Sequence, residues 1–301
     1  MITKYEFCEE IYKKLIRDCR DELNKLHKKN NSLRFWEIII GQWLKDFVFV
    51  SYKNYSQLSF VKKNYHINEI ICNNHEKYNF TVNDTESFQW VTFDSSWQYS
   101  FLSKLAIFIN FDCEKKINDP IQLSFLELDK KIKKFKFSDI FNPLFKLFLI
   151  INNFFKKDNF KLITKTALPF WIEKLLEIKF FQLPTKFTEP VIKYKVKNNI
   201  LRSTLNFKPD STNNLFEKFL RENISEFLPL SYIENLSNIE KLADKVNFPK
   251  KPKFIFTSYS YAYDEIFKFY TASKTEYKIP YLVGQHGNNY FTKIYCNYVQ
   301  N

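Results

Sequence analysis

The chain has 301 residues, 45% of them hydrophobic and 19% aromatic, and carries a formal net charge of +13. That is enough apolar material for large cores, in about two domains or one large one. The positive excess is nearly all lysine and runs along the whole chain, as in "KKIKKFKF" and "FPKKPKF", with no arginine-rich stripe. This pattern predicts a solvated lysine-rich surface with a mild attraction for phosphate-bearing substrates, and argues against a nucleic-acid partner.

The opening "MITKYEFCEEIYKK" has early acids and no apolar h-region, unlike a secretory signal. From Glu6 to about Leu26, the residues Ile11, Leu15, Cys19, Leu23 and Leu26 fall on one stripe at helical spacing. "NNS" interrupts the pattern, and Ser32 is placed to cap a second helix over about Leu33–Val61 that is apolar nearly all round and hence buried. A polar, Asn-rich stretch from about Lys62 to Asp84 shows little periodicity. "SSWQYSFLSKLAIFI" reads as a third helix capped by Ser95 or Asp94. Trp36, Trp43 and Trp97 are expected in the core, and His66 and His75 on the surface without metal-ligand spacing.

From about Asp139 the pattern changes, which predicts a mainly helical region over 1–138 and an α/β region over 139–301. "FNPLFKLFLIINNFF" is too short to span a bilayer and contains Lys146, so at most peripheral membrane contact is expected. "FKLITKTA" reads as a strand, "PFWIEKLLEIKFF" as a helix opened by Pro169, and "NNLFEKFLRENISEFLP" as a helix closed by Pro229. Then "PKFIFTSYS" is a strand, 261–277 a helix with Ile266, Phe269 and Tyr270 on one face, and "IPYLVGQHG" a second, inner strand. Such a strand–helix–strand unit implies parallel pairing. The five cysteines (Cys8, Cys19, Cys72, Cys113, Cys296) never occur as CxxC and read as reduced thiols of a cytoplasmic protein.

Only Gly41, Gly284 and Gly287 are glycine, in a composition typical of AT-rich coding sequence. Surviving glycines are expected where φ is positive or something approaches closely. "YLVGQHG" leaves the carboxyl end of a parallel strand, where open α/β sheets place their ligand crevice. Gly284 and Gly287 there suit a tight turn and close ligand approach. Gln285, His286, Asn288 and Asn289, with Ser258 from the preceding strand end, are candidate partners for phosphate or sugar hydroxyls. His286 either deprotonates an acceptor or holds a phosphate. Arg34 either pairs internally with a carboxylate or faces an anionic substrate. Asp264 and Glu265 open a helix, where acids complement the helix dipole. No strand-associated DxD motif occurs, so no metal site and no metal-dependent mechanism is expected.

Three stretches resemble a family of transferases from bacterial surface-polysaccharide loci, first noticed in Leptospira. "LNKLHKKNNSLRFWEIIIGQWL" (23–44) matches at His27, Ser32, Arg34, Trp36, Gly41 and Trp43. "FLPLSYIENL" (227–236) is similar to a Leu-Pro…Tyr-x-Glu segment. Residues 256–291 resemble the family's Thr-Ser…Asp-Glu-x-Phe-Lys…Gly-Gln-His-Gly-Gly-x-Tyr-Gly motif. The resemblance implies a GT-B-like glycosyltransferase with Rossmann-like lobes, acting on a nucleotide-sugar donor without a cofactor and on a polysaccharide or lipid-linked acceptor in capsule or O-antigen synthesis. A looser similarity to teichoic-acid polymerases implies that His286 is the general base.

The sequence departs from the family pattern at Asn288 and Phe291, which stand where glycines are expected, and ends at Asn301. The expectation is therefore a fragment lacking the family's first strand and second lobe, inactive alone. The alternative to a transferase is a non-catalytic remnant, or one subunit of a split enzyme that needs a separate C-terminal lobe.

Overall fold

The computed structural model describes residues 3–111, 114–118, 147–148, 151, 160–187, 190–246 and 248–285, and side chains at all of these except 75, 114 and 115. It is an α/β structure with a helical N-terminal region and two small parallel sheets. In chain order the main elements are α1 (Lys4–His27), α2 (Leu33–Asn64), β1 (Glu69–Asn73), α3 (Thr85–Val91), α4 (Ser95–Phe108) and β2 (Glu114–Asn118). They continue with β3 (Leu162–Ile163), α5 (Phe170–Lys179), α6 (Asn199–Ser203), α7 (Leu215–Phe227), α8 (Leu236–Lys245), β4 (Ile255–Thr257), α9 (Ser260–Tyr263), α10 (Glu265–Thr275) and β5 (Tyr281–Val283). Two compact units draw on separated stretches: one from within Met1–Lys29, Trp43–Ile132 and Val196–Ile233, the other from within Asn30–Gln42, Lys133–Lys195 and Glu234–Asn301.

In the first unit, Thr3 and Glu6 form a reciprocal capping box that starts α1. The stripe Ile11, Leu15, Cys19 and Leu23 is buried as its spacing predicts. Asp94, rather than Ser95, caps α4 by accepting from Trp97 N at 2.8 Å. Around these helices lies an aromatic core. The Phe227 ring of α7 sits 4.7 Å from Phe80, 5.1 Å from Phe47 and 5.6 Å from Phe101, centroid to centroid. Trp43 and Trp97 are buried in the same core. At the other end of this unit Arg221 is buried in a charge cluster, bonding Asp18 at 2.7 Å, Glu217 at 2.9 Å and the Phe207 carbonyl at 2.7 Å.

The polar stretch after α2 holds a strand that its sequence does not announce. β1 pairs in parallel with β2, Glu69 opposite Glu114 through Asn73 opposite Asn118. Its anchor is polar: Asn73 N donates to Ser103 Oγ at 2.9 Å and Asn73 Nδ2 to Ser100 Oγ at 3.0 Å, so α4 satisfies a buried amide that periodicity cannot flag. α3, capped by Asp84, begins just past the stretch read as aperiodic, in residues where the sequence analysis assigns no element.

In the second unit, Ser32 starts α2 by accepting from Phe35 N at 3.1 Å. Phe35 and Trp36 are buried, and the Phe35 ring meets Phe269 of α10 edge-on at 5.7 Å. Three parallel strands lie in the order β3-β4-β5. Among the described residues β4 is the central strand and β5 an edge. The strand expected over 279–287 is described over Tyr281–Val283, and β5 is half-buried. The expected single helix between β4 and β5 is two, because Asp264 adopts an extended conformation and caps α10. Ile266, Phe269 and Tyr270 of α10 are buried, but so are all residues from Glu265 to Ala272, so the helix is buried all round rather than on one face, and Tyr270 donates to the Pro249 carbonyl at 2.7 Å.

Candidate functional site

The carboxyl ends of β3, β4 and β5 stand side by side in the second unit, because Leu162 pairs with Ile255 and Ile255 with Tyr281. In parallel sheets this edge is where loops converge on ligands. Here the convergence is built by backbone staples. Lys165, just beyond β3, takes a left-handed φ of 48°, and its carbonyl accepts from Ser258 N at 3.2 Å and Thr257 Oγ1 at 3.4 Å. Thr257 in turn accepts at its carbonyl from Gly284 N at 2.8 Å and at its hydroxyl from Ser260 N at 3.1 Å. One residue therefore fixes the starts of two loops.

Ser258 is buried against Gly284. A Cβ built on Gly284 would come 2.6 Å from Ser258 Oγ and 2.7 Å from Phe256 Cζ. Gly284 does not have a positive φ. Its missing side chain admits its own chain, where the sequence suggested a tight turn and a ligand. Gln285 follows directly. His286, Gly287, Asn288 and Asn289 lie outside the described residues.

The charges beside these strand ends are arranged in sequence. Lys165 Nζ bonds Asp264 Oδ2 at 2.6 Å, with the lysine side chain 43% exposed. Asp264 is held by its cap, accepting from Phe267 N at 2.9 Å. Next to it the Tyr281 hydroxyl is buried without a hydrogen-bond partner. Burial pushes this phenol up, Arg34 draws it down and Asp264 pushes it up again, so the ring lies within the field of both charges. Arg34 pairs with Glu37 one turn along α2, at 3.7 Å, and is partly exposed, so no buried internal pair forms with that carboxylate. Glu265 pairs with Lys268 at 3.0 Å, both buried, which is a structural use of the second helix-opening acid. Ser260 Oγ is likewise buried without a partner.

Of these groups the Lys165 ammonium is the one accessible to an anion, because the Tyr281 and Ser260 hydroxyls are buried and the α10 N-terminus is capped by Asp264. Sequence reasoning selected Ser258, Gly284 and Gln285 here but passed over Lys165 and Tyr281. The one signal for Lys165 was its place directly after the apolar run of β3. Ser32, His27 and Glu276 prove structural. Ser32 N donates to Glu276 Oε2 at 3.2 Å, and His27 Nε2 to the Tyr232 carbonyl at 2.8 Å. Of the two surface histidines, His66 is exposed as expected.

Among the described residues no group of three or more His, Cys, Asp or Glu side chains could hold a metal ion, and no helix is long and apolar enough to cross a membrane. The model of one family, described as LIC12162 family transferase, matches residues 1–300. No curated protein and no solved structure matches the chain.

Proposed function

The chain belongs to the LIC12162 family of transferases, and on that premise we propose that it moves a sugar from a nucleotide donor to a surface-polysaccharide acceptor, using a GT-B-like lobe. The observation that carries this reading is the alignment of three parallel strand ends with Gly284 at the last of them, leading directly into Gln285 and His286. In this reading Lys165 leaves Asp264 to meet the donor's diphosphate, a role suited to a mobile point charge. His286 would take the proton of the acceptor hydroxyl as that oxygen bonds the sugar's anomeric carbon and the bond from this carbon to the nucleotide diphosphate breaks. The diphosphate then departs with the bonding electron pair.

Ligand-observed NMR with a panel of nucleotide sugars tests the reading. One donor should bind the purified chain, and Lys165→Ala should weaken it by roughly tenfold, the size of one ion pair to phosphate. His286→Ala, which removes the proposed base and not a phosphate contact, should leave that binding intact. Absence of binding by every nucleotide sugar would overturn the proposal.

A further inference from the structure

Helix α5 is turned inside out. Three of its four charged residues face the protein: Glu177 is fully buried, and its carboxylate accepts from Thr185 N at 2.8 Å and Thr185 Oγ1 at 3.0 Å. Lys174 is buried beside it, bonded to Glu177 and, at 2.6 Å, to the Thr185 carbonyl. Glu173 accepts from Thr166 Oγ1 at 2.9 Å. The apolar side chains of the same segment, Phe170, Trp171, Ile172, Leu175, Ile178 and Phe181, are exposed, Trp171 by 48% and Phe181 by 98%. A helix that spends its ion pairs inward and leaves a contiguous apolar face outward is built to meet something other than water.

The charge distribution says what. Glu173 and Glu177 are the only acids in residues 160–187, and both are engaged inward, whereas Lys179 is exposed and Lys161 is half-buried with its ammonium over the Phe180 ring, at 5.4 Å. Among the described residues of this stretch the charge left beside the apolar face is therefore cationic. A symmetric pair of copies would need carboxylates on the same face to answer these lysines, and residues 160–187 offer none beyond the two engaged inward. An anionic lipid surface supplies the complement: phosphates for the lysines, and an acyl boundary for the rings and aliphatic tips.

We propose that the outward face of α5 and the adjoining Phe180–Leu183 segment form a membrane-docking surface selective for anionic lipid. The inference does not depend on the transferase reaction. The test is co-sedimentation of the full chain with vesicles of equal parts phosphatidylglycerol and phosphatidylcholine, compared with phosphatidylcholine alone. In a Trp90→Phe chain, Trp171 is the one exposed tryptophan, since Trp36, Trp43 and Trp97 are buried. Lipids brominated on their acyl chains should then quench it. The expected result is pelleting with the anionic vesicles, quenching of Trp171, and at least a roughly tenfold loss of vesicle affinity in Trp171→Ser/Ile178→Ser. The quenching arm needs no substitution on the face, so it decides the question even if the double variant misfolds. No pelleting, no quenching, or affinity unchanged in a folded double variant would overturn the proposal. A concentration-dependent dimer abolished by the double variant would also do so, assigning the face to a second copy.

Discussion

Gly284 and Ser258 compete for one small volume: a methyl group on Gly284 would lie 2.6 Å from Ser258 Oγ, with Phe256 Cζ 2.7 Å away on the other side. Because neither contact can be tolerated without a shift, Gly284→Ala should destabilise the chain by about 1–3 kcal/mol in urea unfolding. Adding Ser258→Gly should recover part of that loss. The Phe256 ring keeps the recovery incomplete.

Ser32 serves two partners at once, the first turn of α2 and the Glu276 carboxylate. Ser32→Ala should cost about 1 kcal/mol, nearly all of it from the cap, because the Glu276 carboxylate it leaves is exposed to water. Because both substitutions remove one shared interaction, Ser32→Ala and Glu276→Gln should be less than additive in a double-mutant cycle of unfolding free energies.

Acid should act on the first unit through Glu217. Burial pushes its carboxyl up, but hydrogen bonds and charge from Lys14 and Arg221 outweigh this and hold it below its ordinary 4.5. A carboxyl depressed in the folded state contributes stability above the unfolded value and loses it as pH falls through the folded one. Glu217→Gln should therefore be less stable than the unsubstituted chain at neutral pH, by about 1–3 kcal/mol. The difference should narrow as pH drops below 4.5. Urea melts across that range provide the check.

Thiol chemistry should be silent in the folded state at three positions. Burial pushes the Cys8 thiol up to about 12 and Cys19 further still, and Cys72 is also buried. Since the thiolate is the reactive form, iodoacetamide at about pH 8 should leave all three unmodified until urea is added. Peptide mass spectrometry reads this directly.

The helices were legible because their signals are local. Apolar spacing marked α1, Asp94 marked the start of α4, and Pro169 marked the start of α5. What escaped is carried by partners distant in sequence. β1 owes its place to Ser100 and Ser103, and "EKKIN" becomes a strand only by pairing with β1. α5 was correctly bounded, yet no periodicity argument could show that Glu177 faces inward, because its satisfying groups come from Thr185 in a loop. At the candidate site, Gly284 and Ser258 were selected from their neighbours in sequence. The Lys165–Asp264 pair joins two loops and could not be seen in either alone.

The aromatic core of the first unit has a consequence for synthesis on the ribosome. Phe47, Phe80, Trp97 and Phe101 are translated long before Phe219 and Phe227, the α7 rings that close over them. Throughout the intervening elongation the nascent chain must carry those rings uncovered, the condition under which chaperones bind and aggregation begins. Slowing translation between α4 and α7 should thus lower the yield of folded protein, whereas slowing it beyond α7 should leave this unit unaffected.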